Sequence, residues 1–223
     1  MEQHRIVNRV RNNPIPIARS GYPFILVSAM AAVGFALIGF ETIAILGAVA
    51  ALFITFFFRD PERRVPKAPG AVVSPADGRV ISIEAVSSAP FFSEPCRRIS
   101  IFMTVFNVHV NRVPYEGRIG AVEYRPGSFM AANRDRASEL NERNAILVNT
   151  ERGTKISVVQ VAGWIARRIV CAIRENEPVA RGERFGLIRF GSRVDVYLPD
   201  TVSVHVKVGQ RVKAGASIIG YLK

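Results

Sequence analysis

Histidine, cysteine and acidic residues are scarce in this chain, and each shortage narrows what it can do. Three histidines occur in 223 residues, His4, His109 and His205, so a site that needs an imidazole has few candidates. The two cysteines, Cys96 and Cys171, stand far apart. That excludes a disulfide framework and the clustered spacing of a zinc site, and the pair reads as buried free thiols in a reducing compartment. Asp and Glu number 18 against 30 Lys and Arg, a formal charge of +12. Such an excess calls for an anionic partner. No Lys/Arg-rich block concentrates the charge, which argues against nucleic acid and for an anionic lipid surface.

Charge is almost absent from 24–58, where Glu41 is the one ionisable residue. The run is too long for a signal peptide and has no convincing cleavage site. As one straight helix it would reach about 52 Å, against a bilayer core of ~30 Å. Two short helices fit better, with Glu41-Thr42 near the bend. They form a hairpin that either spans the membrane or wedges into it. Arg5, Arg9, Arg11 and Arg19 precede the run, and Arg59, Arg63, Arg64 and Lys67 follow it. Basic flanks on both sides place both ends in the cytoplasm. The chain thus divides into a basic tail (1–20), a membrane-associated helical hairpin (21–58) and a globular domain (59–223), entered through Pro61, Pro66 and Pro69.

The globular domain is rich in short Val/Ile segments punctuated by Asp77-Gly78, Glu116-Gly117 and Arg152-Gly153. Strands are expected at 72–73, 80–83, 99–106, 119–124, 146–148, 156–161 and 194–198. A helix is expected over 131–144, and 165–173 fits either strand or helix. The fold class is α+β, mainly β. The stretch 72–80 and the tail 204–221 resemble the two halves of a lipoyl/biotinyl-like barrel-sandwich, pairing across the domain with insertions between them. Neither half offers a lysine on a hairpin tip for lipoyl or biotin attachment.

One dipeptide stands out, Gly191-Ser192, at the head of the strand Arg193-Val194-Asp195-Val196-Tyr197-Leu198. Its bland reading is a turn glycine followed by a solvent-facing serine. Its chemical reading is self-cleavage. The Ser192 hydroxyl attacks the Gly191 carbonyl, the amide becomes an ester, and elimination breaks the chain. Ser192 is left as an N-terminal pyruvoyl group. Such a serine needs a base, and the base an orienting group. His109 lies in Asn107-Val108-His109-Val110-Asn111, where strand alternation would set Asn107, His109 and Asn111 on one face; a structural or surface histidine is the alternative. His205 sits in an alternating strand, and His4 in the tail. Asp77 is the candidate orienter, or simply the cap of its own turn.

Seven segments appear together and in order: Arg59-Asp60-Pro61-Glu62-Arg63, Ser74-Pro75-Ala76-Asp77-Gly78, Phe106-Asn107-Val108-His109-Val110-Asn111-Arg112-Val113-Pro114, Asn141-Glu142-Arg143-Asn144, Gln160-Val161-Ala162-Gly163, Ala166-Arg167-Arg168-Ile169-Val170-Cys171 and Phe190-Gly191-Ser192-Arg193-Val194-Asp195. This series resembles the short class of phosphatidylserine decarboxylase proenzymes over nearly the whole chain from Arg59. The resemblance implies cleavage between Gly191 and Ser192 into a β chain (1–191) and an α chain (192–223) that stay associated. It implies a pyruvoyl cofactor derived from Ser192 with no external cofactor or metal, and decarboxylation of phosphatidylserine to phosphatidylethanolamine at the cell membrane. His109 and Asp77 would serve cleavage and catalysis. Arg112, Arg167 and Arg168 are candidates for the serine carboxylate and phosphate. A homodimer is compatible with the resemblance. Two departures are visible. Larger relatives carry a second histidine where this chain has Asn111 or Arg112, and Leu-Gly-Ser-Thr where it has Phe190-Gly191-Ser192-Arg193.

Two rival classes remain at this level. One is a non-enzymatic, membrane-anchored β-sandwich adaptor, which leaves Gly191-Ser192 and His109 without a purpose. The other is a decarboxylase of a related serine lipid or of a soluble amino acid; the apolar run argues against the soluble substrate.

Overall fold

A computed structural model describes residues 15–127, 141–163, 168–189 and 192–222. The chain divides into two compact units, one ending at Glu62 and one from Arg63 onward.

The first unit is a helical hairpin, α1 (Tyr22–Leu37) and α2 (Glu41–Phe57), preceded by a 3-10 turn at Arg19–Gly21. Pro23 falls in the first turn of α1, where no intrahelical N–H is needed. The bend lies at 38–40, next to Glu41-Thr42 as expected. Gly39 adopts φ +83°. Its N–H donates to Ala36 O at 3.2 Å, and Phe40 N–H donates to Phe35 O at 2.9 Å. This is a Schellman closure, accompanied by an edge-on contact of Phe35 with Phe40. Glu41 then opens α2, its carboxylate at the positive end of the new helix. The chain ends of the hairpin meet: Ile17 bridges Arg59, and Phe24 stacks on Phe58 at 5.8 Å. Leu26, Val27, Met30, Leu37, Leu46 and Leu52 are exposed, as a surface made for an apolar medium would be. Arg19–Leu37 is long and apolar enough to cross a membrane; Glu41–Phe57 is shorter.

The second unit is mainly β. Its strands are β1 (Ala71–Val73), β2 (Gly78–Val86), β3 (Cys96–Met103), β4 (Val110–Arg112), β5 (Gly117–Arg125), β6 (Arg143–Asn149), β7 (Lys155–Ala162), β8 (Ile169–Cys171), β9 (Pro178–Val179), β10 (Arg184–Ile188), β11 (Ser192–Pro199), β12 (Ser203–Val204), β13 (Arg211–Val212) and β14 (Ile218–Tyr221). A curled eight-stranded sheet runs β13-β2-β3-β11-β7-β6-β5-β9, beside two small sheets, β1-β14-β12 and β4-β10-β8. The two ends of the domain pair, β1 with β14 and β2 with β13, both antiparallel.

Two expectations from the sequence are corrected. The strand placed at 99–106 ends at Met103, because Thr104 and Asn107 close a turn: Asn107 N–H donates to Thr104 O at 2.9 Å, and Asn107 Oδ1 accepts from Thr104 N–H at 2.8 Å. Asn107 is therefore not on a strand face with His109. The helix placed over 131–144 falls mostly outside the described residues, but Arg143 and Asn144 open β6, where they pair with Val161 and Gln160 of β7. Of the ambiguous 165–173 segment, Ile169–Cys171 is a strand.

β11 is the axis of the large sheet, hydrogen-bonded to β3 on one side and β7 on the other. Val194, Val196 and Leu198 face the main core with Ile99, Ile101, Ile146 and Val158. The opposite face is buried as well. There Tyr197 packs with Cys96, Ala145, Val159 and Val161 beneath Phe91 and Phe92. Arg193 Nε lies 3.0 Å from Asp195 Oδ1, and Nη2 3.1 Å from Oδ2, a forked and nearly solvent-free pair.

Burial, and then the Asp195 charge, push the Tyr197 phenol from 10.0 up to about 12. The unfolded tyrosine loses its proton first as pH rises, so the stability that depends on this protonated phenol falls between pH 10 and 12. The loss is about 3 kcal/mol by linkage. Denaturant titrations of the wild type against Tyr197→Phe across this range will show the drop in the wild type, with that component missing from the variant.

Candidate active site

Four strand ends converge around Met103, the last residue of β3. Ser192 opens β11 directly opposite Met103 on one side and Ala162 on the other. Asp77 precedes β2, whose Arg79 pairs with Phe102. His109 precedes β4, and Asn111 of β4 reaches Met103. Period-two geometry turns Ser192 inward with Val194 and Val196. The serine is fully buried, not solvent-facing, and its Oγ–H donates to Met103 Sδ at 3.5 Å. A thioether is a weak acceptor, so this hydroxyl is held lightly in a dry setting.

His109 is fully buried. Its Nδ1 lies 3.0 Å from Asn107 O. A carbonyl only accepts, so Nδ1 carries a proton, and Nε2 is the ring nitrogen that can act as a base. The orienting contact expected from a carboxylate is thus made by a backbone carbonyl two residues back. Asp77 bonds elsewhere. Its Oδ2 accepts from Arg63 Nη2 at 2.8 Å and its Oδ1 from Ala214 N–H at 2.7 Å. Rather than capping its own turn, Asp77 ties the start of β2 to the C-terminal tail and to the segment entering the domain.

The arginine candidates separate. Arg112 is buried, and its Nη1 donates to Gly182 O at 2.9 Å. Arg168 is exposed, and its carbonyl accepts from Arg189 N–H at 3.2 Å, close in the chain to the Gly191-Ser192 bond. Burial and then the Arg168 charge lower the Arg189 pKa. Arg167 and Gly191 lie outside the described residues. His205 is exposed, near Ser203 Oγ at 3.2 Å and edge-on to Tyr221, on the small β1-β14-β12 sheet.

The sequence reading missed a buried amide chain. Asn144 Nδ2 donates to Gln160 Oε1 at 3.0 Å, Gln160 Nε2 to Asn111 Oδ1 at 2.8 Å, and Asn111 Nδ2 to Met103 Sδ at 3.9 Å. The chain runs from β6 through β7 and β4 to the sulfur that also holds Ser192. Gly186 leaves room for it: a Cβ there would stand 2.9 Å from Gln160 Nε2 and 2.4 Å from Val170 O. A signal was present. Gln160 continues the inward series Ile156, Val158, and Asn144 precedes Ile146 and Val148, so amides occupy positions of apolar phase. Cys171 borders this chain. Burial raises its thiol pKa, with hydrogen bonding to Ile173 and Asn144 opposing. Both cysteines are free, Cys96 buried and Cys171 half-buried. Among the described residues no cluster of His, Cys, Asp or Glu is arranged to hold a metal.

The arrangement sets a buried hydroxyl at the head of β11 and a buried imidazole of defined tautomer just before β4. Comparison with known proteins places the chain among relatives. The family model described as phosphatidylserine decarboxylase matches residues 50–220. The phosphatidylserine decarboxylase proenzyme of Syntrophus aciditrophicus (strain SB) is 52% identical over 207 residues, covering 92% of this chain and 96% of the relative. The proenzyme of the same name from Geotalea uraniireducens (strain Rf4) is 47% identical over 213 residues, 96% and 100% of the two chains. That of Burkholderia vietnamiensis (strain G4 / LMG 22486) is 46% identical over 213 residues, 95% and 99%.

Proposed function

This chain belongs to the phosphatidylserine decarboxylase family, and we propose that it decarboxylates phosphatidylserine to phosphatidylethanolamine with a pyruvoyl group made from its own Ser192. The observation that carries this reading is the placement of Ser192, buried at the head of the central strand with its hydroxyl on a weak acceptor.

Self-cleavage follows from these parts. Nε2 of His109 takes the Ser192 proton as Oγ bonds to the Gly191 carbonyl carbon. The C–N bond breaks and the nitrogen takes up a proton, leaving an ester. Removal of the Ser192 α-proton then breaks the Cβ–O bond and frees the Gly191 carboxylate. Hydrolysis of the resulting enamine, in its imine form, releases ammonia and leaves a ketone. The fit is good: the pyruvoyl methyl has no hydroxyl to satisfy, and its neighbours across the ladder are Ala162 and the Met103 thioether. The pyruvoyl ketone supplies an electron sink for the pair released as CO2 leaves the amine-bearing substrate.

The chain's own residues do the rest. His109 returns a proton to the substrate carbon. Asp77, fixed by Arg63 and Ala214, supplies negative charge at the same strand end. Of the two candidate arginines among the described residues, Arg168, exposed beside Arg189, is better placed than the buried Arg112 for the substrate's anionic groups. The 1–191 and 192–223 chains stay together because β11, from the smaller, is laddered between β3 and β7 of the larger. The domain reads as a barrel-sandwich of lipoyl/biotinyl type, its two halves joined by the β1–β14 and β2–β13 pairs. The apolar hairpin anchors it in the cell membrane with the catalytic unit on the cytoplasmic side, since both hairpin flanks are basic.

The test is borohydride reduction in the presence of phosphatidylserine labelled in its headgroup. The expected result is loss of activity with the label covalently attached to the 192–223 fragment. Label on the larger chain, or activity that survives reduction, would overturn the reading.

A further inference from the structure

In the second unit, three large apolar side chains are exposed among the described residues: Phe106, Tyr124 and Val208. Two of them flank one basic patch. Phe106, 65% exposed, helps line a hollow with Gly78, Arg79, Ile81, Phe102 and Arg211. Val208, 61% exposed, rides the 207–210 turn, which Gly209 N–H and Gln210 O fasten to both sides of Val80. Arg79 and Arg211 are paired in register on β2 and β13, and both are exposed. Among the described residues neither is ion-paired with an acid.

Like charges directly across a ladder repel. An arginine pair with no acid beside it among the described residues, set between exposed apolar side chains, is a poor arrangement in water. It is a good one against a layer of anions overlying hydrocarbon. Its location adds to this. Phe106 stands on the turn between Met103 and His109, and Phe102 pairs with Arg193, the residue after Ser192. The patch thus borders the end of the sheet where the strand ends converge.

We propose that this patch docks the catalytic unit onto the bilayer independently of the hairpin. Arg79 and Arg211 take headgroup phosphates of anionic phospholipid, and Phe106 and Val208 enter the interface. The proposal rests on the lipid-substrate reading. A diacyl substrate stays in the membrane, so the site must be held at its surface, and a hairpin anchor alone does not set which side of the domain faces the lipid.

The test uses the full chain reconstituted in phosphatidylcholine–phosphatidylglycerol vesicles brominated on the upper acyl carbons. A Phe106→Trp chain will be quenched beyond the level of the unsubstituted protein, which carries Trp164. Adding Arg79→Gln and Arg211→Gln will remove the excess quenching. In the otherwise unsubstituted chain the same two changes will raise the apparent KM for vesicle phosphatidylserine roughly tenfold or more, with self-cleavage and kcat kept. The difference will shrink as salt is added. Absence of excess quenching overturns the proposal, as does quenching that survives loss of both arginines. Failure of the chain to cleave would refute the processing reading instead, and the quenching would still report on docking.

Discussion

A Ser192→Ala chain will remain one polypeptide of 223 residues and will form no phosphatidylethanolamine. Both losses are complete because one residue serves two purposes: its oxygen is the nucleophile of cleavage, and its carbon skeleton becomes the ketone. Unfolding is not the cause. The change keeps Cβ and removes one hydroxyl whose described partner is a thioether sulfur. Trading that bond for a methyl against Ala162 and Met103 costs on the order of 1 kcal/mol or less. The ladder of β11 with β3 and β7 uses backbone groups and is untouched. Denaturing gels will show one band, and the thermal transition will stay close to that of an uncleaved wild-type precursor. A Ser192→Ala protein that still splits would place the nucleophile elsewhere.

The second large effect is at His109. His109→Ala will slow self-cleavage by roughly 10²–10⁴-fold, the usual contribution of a positioned general base. The ring is buried, and its Nδ1 is committed to Asn107 O, which fixes Nε2 as the working nitrogen. Because the orienting acceptor is a backbone carbonyl, Asn107→Ala keeps it. That variant loses the side-chain bonds to Thr104 and will slow cleavage far less than loss of the ring, by a factor set by about 1 kcal/mol of turn stability. Time courses of precursor disappearance for the two variants separate base chemistry from turn integrity. Equal rates would remove His109 from the base role.

Much of this was legible in the sequence, for physical reasons that can be named. The hairpin was visible because 35 residues with one charge have no other economical fold. Its bend was legible near Glu41, the lone charge, while the turn itself is made by Gly39, the residue able to take φ +83°. β11 was visible in its alternation. Its centrality was not, because Arg193 and Asp195 look like a solvent face until the forked pair buries both. His109 stood out by scarcity, but the acceptor of its Nδ1 did not: a backbone carbonyl leaves no mark in a list of side chains. Asp77 was singled out as a carboxylate near a turn, but its partners, Arg63 and Ala214, lie 14 and 137 positions away and follow only from the fold. The Asn144–Gln160–Asn111 chain left a trace in its phase alone, amides where the pattern calls for apolar residues.

The central claim is tested most directly by the intact mass of the purified protein in mild detergent. The account predicts two chains, 1–191 and 192–223. The smaller has 32 residues (223 − 191), lacks an amino terminus, and is lighter by one ammonia than the same peptide beginning with serine. A folded protein that persists as a single chain with Ser192 intact would contradict the account, and a membrane-anchored adaptor without enzymatic chemistry would then describe the molecule better.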